Sequence, residues 1–401
     1  MTNFSWYRRA QESIAHSALT NSKRPETFVF GVYPTHLERG HGCYVTDTQG
    51  RQYIDFICGL GTNLLGYNNR HIKEAIQNKL DTGFSLSLSS TMEVEFAEKF
   101  KACFPFVDRI RILKSGSDAC TAAIRMARAV TGWNLIASEG YHGWHDEFIS
   151  MTPPAKGIPT HFSETIGSIH DSWDYDRLAG IIIEPVITDF SDTRMIFLKK
   201  LREICNAHDI ILIFDETITG LRFPGLSVAV WSGVTPDLII TGKALGGGMP
   251  ISVVGGKKDV MESDYFVSST FSGERLSIAA AMETLDLLRT EHPVINIWEQ
   301  AKIFQDAFNQ INPDLIKMEG YPTRGIWKAK DDLTKALFFQ ECCKARILVG
   351  PSYFWNLNHA ELTFELIKTF TAILIKIGNN EVILEGEIPK KPFAETVRQM
   401  D

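Results

Sequence analysis

Thr241-Gly-Lys-Ala-Leu-Gly-Gly-Gly-Met-Pro250 places one lysine, Lys243, two residues after the apolar run Leu238-Ile-Ile-Thr241 and just before three glycines. A solvated surface lysine needs no such setting. A lysine that must meet a bound group at the end of a strand does. The glycines then let backbone approach that group without a Cβ in the way.

Working outward, Ile210-Ile-Leu-Ile-Phe runs straight into Asp215 and Glu216. A carboxylate at the carboxyl end of a buried parallel strand faces the crevice where open α/β sheets bind ligands. The plain alternatives are a strand that ends at the surface, or a metal-holding acid beside a nucleotide loop. The second requires GxxxxGK[ST], which this chain lacks.

Lys114-Ser-Gly116-Ser117-Asp118 follows another short apolar run, Arg109–Leu113, and opens a predicted helix. Strand, small-residue turn and helix start form a phosphate cradle, because the first N–H groups of a helix are free and its dipole favours an anion. Ser117 either caps that helix or donates to the phosphate. Tyr141-His142-Gly143-Trp144-His145-Asp146 reads as an aromatic loop after the strand at 134–138. Its two histidines and acid are not accompanied by further ligands at metal-site spacing, so no metal is expected. An aromatic that stacks on a flat ligand fits the loop. Ser268-Ser269-Thr270-Phe-Ser-Gly273 precedes a further helix, as a cap cluster or a second set of phosphate donors.

Helical patterns at 91–103, 118–131, 195–208 and 274–289 alternate with apolar runs at 109–113, 134–138, 180–184, 210–215 and 238–241. Such alternation predicts an α/β layer on a mostly parallel sheet. Residues 42–55 read as a hairpin turning at Asp47–Gly50. The expected organisation is an N-terminal segment, 1–49, that joins a smaller domain; a large α/β domain, 50–288; and the C-terminal part of the small domain, 289–401.

Composition narrows the function classes. The 401 residues carry a net charge of −7 with no basic block, which argues against a nucleic-acid partner. Seven cysteines, none in a CxxC pair, are expected to be reduced thiols. No run reaches the roughly 18 apolar residues of a membrane span, and the start MTNFSWYRRAQES lacks a signal-peptide core. A cytoplasmic protein with no membrane partner is the expectation.

A phosphate cradle, an aromatic plate, an acid at one strand tip and a lysine at another are together what pyridoxal 5'-phosphate requires. It has a phosphate, a flat ring, a pyridine nitrogen that works best protonated, and an aldehyde that bonds an amine.

With these residues assembled, the chain resembles the class III aminotransferases of fold type I, and within them the glutamate-1-semialdehyde 2,1-aminomutase subgroup. The matching stretches are DTQGRQYIDF, SGSDACTAAIRMAR, YHGWHD, IIIEPV, LIFDETITGLRF, PDLIITGKALGGGMPISVVGG and STFSGE, spanning about Gly42 to Pro351. The resemblance implies a large domain with a mostly parallel seven-stranded sheet and a smaller α+β domain. It implies Lys243 as the lysine that bonds the aldehyde as a Schiff base and shuttles a proton. Asp215 pairs with the ring nitrogen, Thr217 lies against the inner ring face where the family more often has valine, and Tyr141 stacks on the outer face. Gly116 and Ser117 hold the phosphate, with Glu184 and His142 near the cofactor. Ser269 joins them, and Thr270 reaches the phosphate of a partner subunit, which implies a homodimer.

Departures from the family cluster at substrate positions. Leu60 stands where the subgroup carries tryptophan, and Trp355 near its usual glutamate. Lys23 or Arg24 replaces an N-terminal arginine, and Ser150-Met-Thr-Pro-Pro-Ala-Lys-Gly157 a small-residue lid. The expected reaction is therefore transfer from a glutamate-like donor to an aldehyde or ketone, sugar-derived or otherwise small and hydroxylated. The alternatives are glutamate-1-semialdehyde 2,1-aminomutase or a related isomerase, a non-catalytic protein of the same fold, and a nucleotide-binding enzyme. The last lacks both GxGxxG and the P-loop.

Overall fold

The computed structural model describes residues 3–152 and 155–390, which divide into two compact units. The larger runs Arg70–Ile295; the smaller combines the described residues up to Asn69 with those from Asn296 onward. Residues 50–69, expected in the larger domain, fall in the smaller one. The reason is pairing: Gln52–Asp55 lies antiparallel to Tyr44–Asp47 and parallel to Ile347–Leu348, closing a sheet from both ends of the chain. The far boundary comes at residue 295 rather than 288.

In the larger unit, seven strands form one sheet. They are β1 (Arg109–Leu113), β2 (Leu135–Glu139), β3 (Ile166–Ser168), β4 (Leu178–Ile183), β5 (Ile211–Glu216), β6 (Leu238–Thr241) and β7 (Ser252–Gly256). Their order is β1-β7-β6-β5-β4-β2-β3. Only β7 runs antiparallel, pairing with β6 and β1. Strands β4 and β6 are buried at every position, which is why they read as unbroken apolar runs rather than alternating ones. Two strands escape the sequence pattern. β3 is only three residues long, and β7 ends in two glycines, which weaken a strand signal.

Helices α1 (Thr91–Cys103), α2 (Gly116–Thr131), α3 (Asp192–Ala207) and α4 (Arg275–Thr290) correspond to the four predicted patterns. α2 packs on the sheet through Ala119, Ala123 and Ala127, side chains small enough to bring the helix close to the strands. All seven cysteines are free and buried.

The smaller unit holds a four-stranded sheet, a three-stranded sheet and a core rich in aromatics. Phe56 stacks on His359 at 4.6 Å, and the Asn356 amide donates to Nδ1 of that histidine at 3.0 Å. Burial pushes His359 down to about 3, so it stays neutral in the fold while the unfolded chain protonates it near the usual histidine value. The folded pKa is depressed, so stability is lost as pH falls below the unfolded value. Equilibrium unfolding should therefore show the wild type losing about 2 kcal/mol more than His359→Gln between pH 7 and pH 5. Equal losses in both proteins would mean that His359 is not held neutral.

Candidate active site

Register brings the chemistry to one rim of the large sheet. Asp215 pairs with Ile240 and Glu216 with Thr241; Phe214 pairs with Ile183, and Ile183 with Glu139. On the other flank Thr241 meets Val253, and Leu113 meets Ser252. The carboxyl ends of β1, β2, β4, β5 and β6 thus emerge together, carrying Gly116–Ser117, Tyr141–His142, Glu184, Asp215–Thr217 and Lys243. This is the edge at which open α/β sheets bind ligands. Lys243 opens a short 3-10 turn, Lys243–Gly246, with a φ of 39°. Only a small fraction of non-glycine residues take a positive φ.

Asp215 is buried, and three donors reach it. Nδ1 of His142 lies 2.8 Å and Sγ of Cys120 3.2 Å from Oδ2, while the Thr217 amide donates to Oδ1 at 3.0 Å. Burial alone would raise this carboxyl. The bonds from His142 and Thr217 outweigh it and hold Asp215 below the ordinary aspartate value. His142 is itself buried, and its Nε2 faces the Glu139 carbonyl at 3.1 Å. The two contacts fix the ring between the Glu139 carbonyl and Asp215. Sulfur, nitrogen and carboxylate here lie within 4.8 Å of one another, a spacing these hydrogen bonds account for.

The turn expected to cradle a phosphate lies between β1 and α2. Ser115, not Ser117, caps α2: its hydroxyl accepts from the Asp118 amide at 3.2 Å, and the Asp118 carboxylate accepts from the Ser115 amide at 2.9 Å. The Ser117 oxygen instead accepts from the Trp144 amide at 3.3 Å, so its own proton can be donated elsewhere. Gly116 must lack a side chain, since a Cβ there would stand 2.9 Å from Cγ2 of Thr217. Gly143 has a φ of +103°, and a Cβ on it would come within 2.3 Å of the Ser117 hydroxyl. The Thr217 hydroxyl lies near Asp215 and helps to lower it, but outside hydrogen-bonding geometry. Its Oγ1 is buried with no hydrogen-bond partner among the described residues.

Glu184 sits behind the aromatic loop, accepting from the Tyr141 amide at 2.8 Å. Sequence reasoning missed the support beneath it. Arg194 forms a two-bond ion pair with Glu139, at 3.0 and 2.9 Å, and donates to the carbonyls of Glu184 and Pro185. Glu216, fully buried, accepts from the amides of Val228 and Ala229 and from the Thr219 hydroxyl, fixing the chain after Asp215. Cys120 was missed too, because a cysteine inside a helical pattern reads as core.

The remaining candidates lie elsewhere in their units. Ser269 lines a groove of about 440 Å³ with Ile110, Arg111 and Val94, beside edge strand β1. Thr270 is exposed. In the smaller unit, Lys23 is exposed, and Nε of Arg24 is buried without a hydrogen-bond partner among the described residues. Leu60 has a φ of 61° in the turn Cys58–Gly61. Trp355, expected to touch substrate, is a core residue: fully buried, it packs on Phe304 at 5.3 Å and on Phe56 at 5.8 Å. Of the segment Ser150–Gly157, Pro153 and Pro154 lie outside the described residues.

These residues fit pyridoxal phosphate on their own chemistry: a cradle that a Cβ would fill, a hydroxyl proton to spare at Ser117, an ionised carboxylate and a strand-tip lysine. The family model for class III aminotransferases matches residues 30–173 and 161–325. Over 311 residues the chain is 33% identical to glutamate-1-semialdehyde 2,1-aminomutase of Methanococcoides burtonii, covering 70% of this chain and 74% of that one. Over 298 residues it is 36% identical to 3-aminobutyryl-CoA aminotransferase of Cloacimonas acidaminovorans, covering 70% and 71%. Its fold matches that of the FumI protein of Sphingopyxis sp. MTA144, solved in its PLP internal aldimine form. The TM-score is 0.85 at 22% identity, over 96% of this chain and 98% of the other, a likeness of fold. The chain belongs to the class III aminotransferases and is an enzyme that works with pyridoxal 5'-phosphate.

Proposed function

We propose that this enzyme takes an amino group from one small molecule, a glutamate-like donor, and delivers it to a separate aldehyde or ketone. The observation that carries the reading is Asp215, kept ionised at the tip of β5, with Lys243 following the neighbouring β6. When bound, the cofactor supplies an aldehyde that exchanges amino groups and a ring that draws electrons from the substrate carbon. Lys243 holds the aldehyde between turnovers and, once freed, moves the substrate's proton. Asp215 favours a protonated ring nitrogen, since an opposite charge stabilises the charged form. Tyr141 covers the outer face, Thr217 the inner one, and Gly116 and Ser117 hold the phosphate. Glu184 keeps Tyr141 in place through its amide.

A two-substrate reaction, rather than an internal mutase reaction, is supported by the departures at Leu60 and at 150–157. A mutase must keep its intermediate enclosed. The relative named as an aminotransferase is also the more identical of the two compared.

The dimer belongs to the same proposal. Every residue from Leu80 to Ser89 is exposed, including Phe84, Leu86 and Leu88. The Arg275 amide donates to the Phe84 carbonyl, which ties this segment to the start of α4, close in sequence to the exposed Phe266 and Phe271. An apolar surface of this kind is one that a second copy covers. Thr270, exposed on the same stretch, is then the donor to the partner's phosphate.

Lys243→Ala should retain the cofactor more weakly and show no amine exchange in single-turnover absorbance; exchange at the wild-type rate would refute its role. An external amine should be consumed in proportion to product over many turnovers. Product formed without net donor loss would identify a mutase instead. Thr270→Ala should weaken cofactor binding about tenfold, as expected for one lost bond to a charged group. Mixing it with Lys243→Ala should restore tight binding in about one site per mixed dimer, since that site draws Lys243 and Thr270 from different subunits. A mixture no better than its parents would show that Thr270 does not act across the interface.

A further inference from the structure

Cys120 lies one turn into α2, 1% exposed, and its thiol donates to Oδ2 of Asp215 at 3.2 Å. That oxygen also meets Nδ1 of His142 at 2.8 Å, while Oδ1 takes only the Thr217 amide among the bonds described, at 3.0 Å. A carboxylate has about two acceptor positions on each oxygen. His142 and Cys120 therefore fill Oδ2, and the open position is on Oδ1.

We propose that Cys120 is a positioning residue for Asp215: its thiol closes Oδ2, so the carboxylate's remaining capacity, on Oδ1, is directed to the ring nitrogen of the bound cofactor. The proposal rests on the pairing of Asp215 with that nitrogen. The donor type matters. A thiol is a weak donor, so it occupies the position while drawing little charge from the carboxylate; a hydroxyl of similar shape would draw more. The thiol stays protonated, and so able to donate, because burial and then the adjacent carboxylate push it well above the usual cysteine range. Glu184 acts on it in the same direction and Lys243 in the opposite one. Asp215 itself faces His142 and the neighbouring Glu216.

Two measurements separate the thiol bond from its consequence. In apoprotein, the infrared S–H stretch of Cys120, isolated by subtracting the Cys120→Ala spectrum, should be shifted down by its carboxylate acceptor and should move up in Asp215→Asn. A band indifferent to Asp215→Asn would overturn the thiol–carboxylate bond. In holoprotein carrying cofactor labelled with 15N at the ring nitrogen, the nitrogen resonance should move toward the unprotonated position in Cys120→Ser and the opposite way in Cys120→Ala. Each shift should correspond to roughly half a pKa unit at the nitrogen. Two variants that keep the wild-type resonance, or move it in the same sense, would overturn the positioning role, since repacking alone has no reason to follow donor strength. A resonance unmoved by Asp215→Asn would remove the underlying pairing instead, leaving the apoprotein result to stand by itself.

Discussion

The bond between His142 and Asp215 is the constraint on which the rest of the site depends. A carboxylate taken out of water at a strand tip would ordinarily pick up a proton and lose its charge. Here a buried imidazole faces it at 2.8 Å and is itself locked by the Glu139 carbonyl. The charge is kept at the tip of β5, where we propose that the cofactor's ring nitrogen pairs with it. Two buried polar groups that would each be costly alone become affordable as a pair with both partners satisfied.

Much of the surrounding architecture serves to hold that pair in place. Arg194 pins Glu139, whose backbone carbonyl receives His142. Glu184 fixes the amide of Tyr141, one residue before His142. Glu216 captures two amides of the chain leaving Asp215, although burial raises this carboxyl to about 7. Glu139 and Glu216 end strands β2 and β5, Glu184 follows β4, and Arg194 reaches in from α3, so the parallel register and the helix packed on it together place these supports. The close approach of Gly116 to Thr217 and of Gly143 to Ser117 then holds the start of α2 against both the chain after β5 and the aromatic loop.

What could be read from the sequence follows from this construction. The buried strands β4, β5 and β6 announce themselves as apolar runs, and the residues at or just past their ends are those we propose to carry the chemistry. Asp215 and Lys243 were visible for that reason. The strand–turn–helix motif at 109–118 was visible, but its spacing leaves open whether Ser117 caps the helix or donates to a phosphate. The bonds of Asp118 and Trp144 place the cap at Ser115 instead. Cys120 and Arg194 were hidden because their partners are 95 and 55 residues away in the chain. Trp355 was misplaced because a tryptophan after a family motif reads equally well as a pocket wall or as core, and here the aromatic packing of the smaller unit claims it.

The claim that this rim of strand ends holds the cofactor through one lysine has a direct test. The holoprotein is treated with borohydride, digested, and its peptides are weighed by mass spectrometry. The cofactor's mass should remain attached to the single peptide that contains Lys243. Label on any other lysine, or on no peptide at all from protein that retains its colour until reduction, would contradict the account.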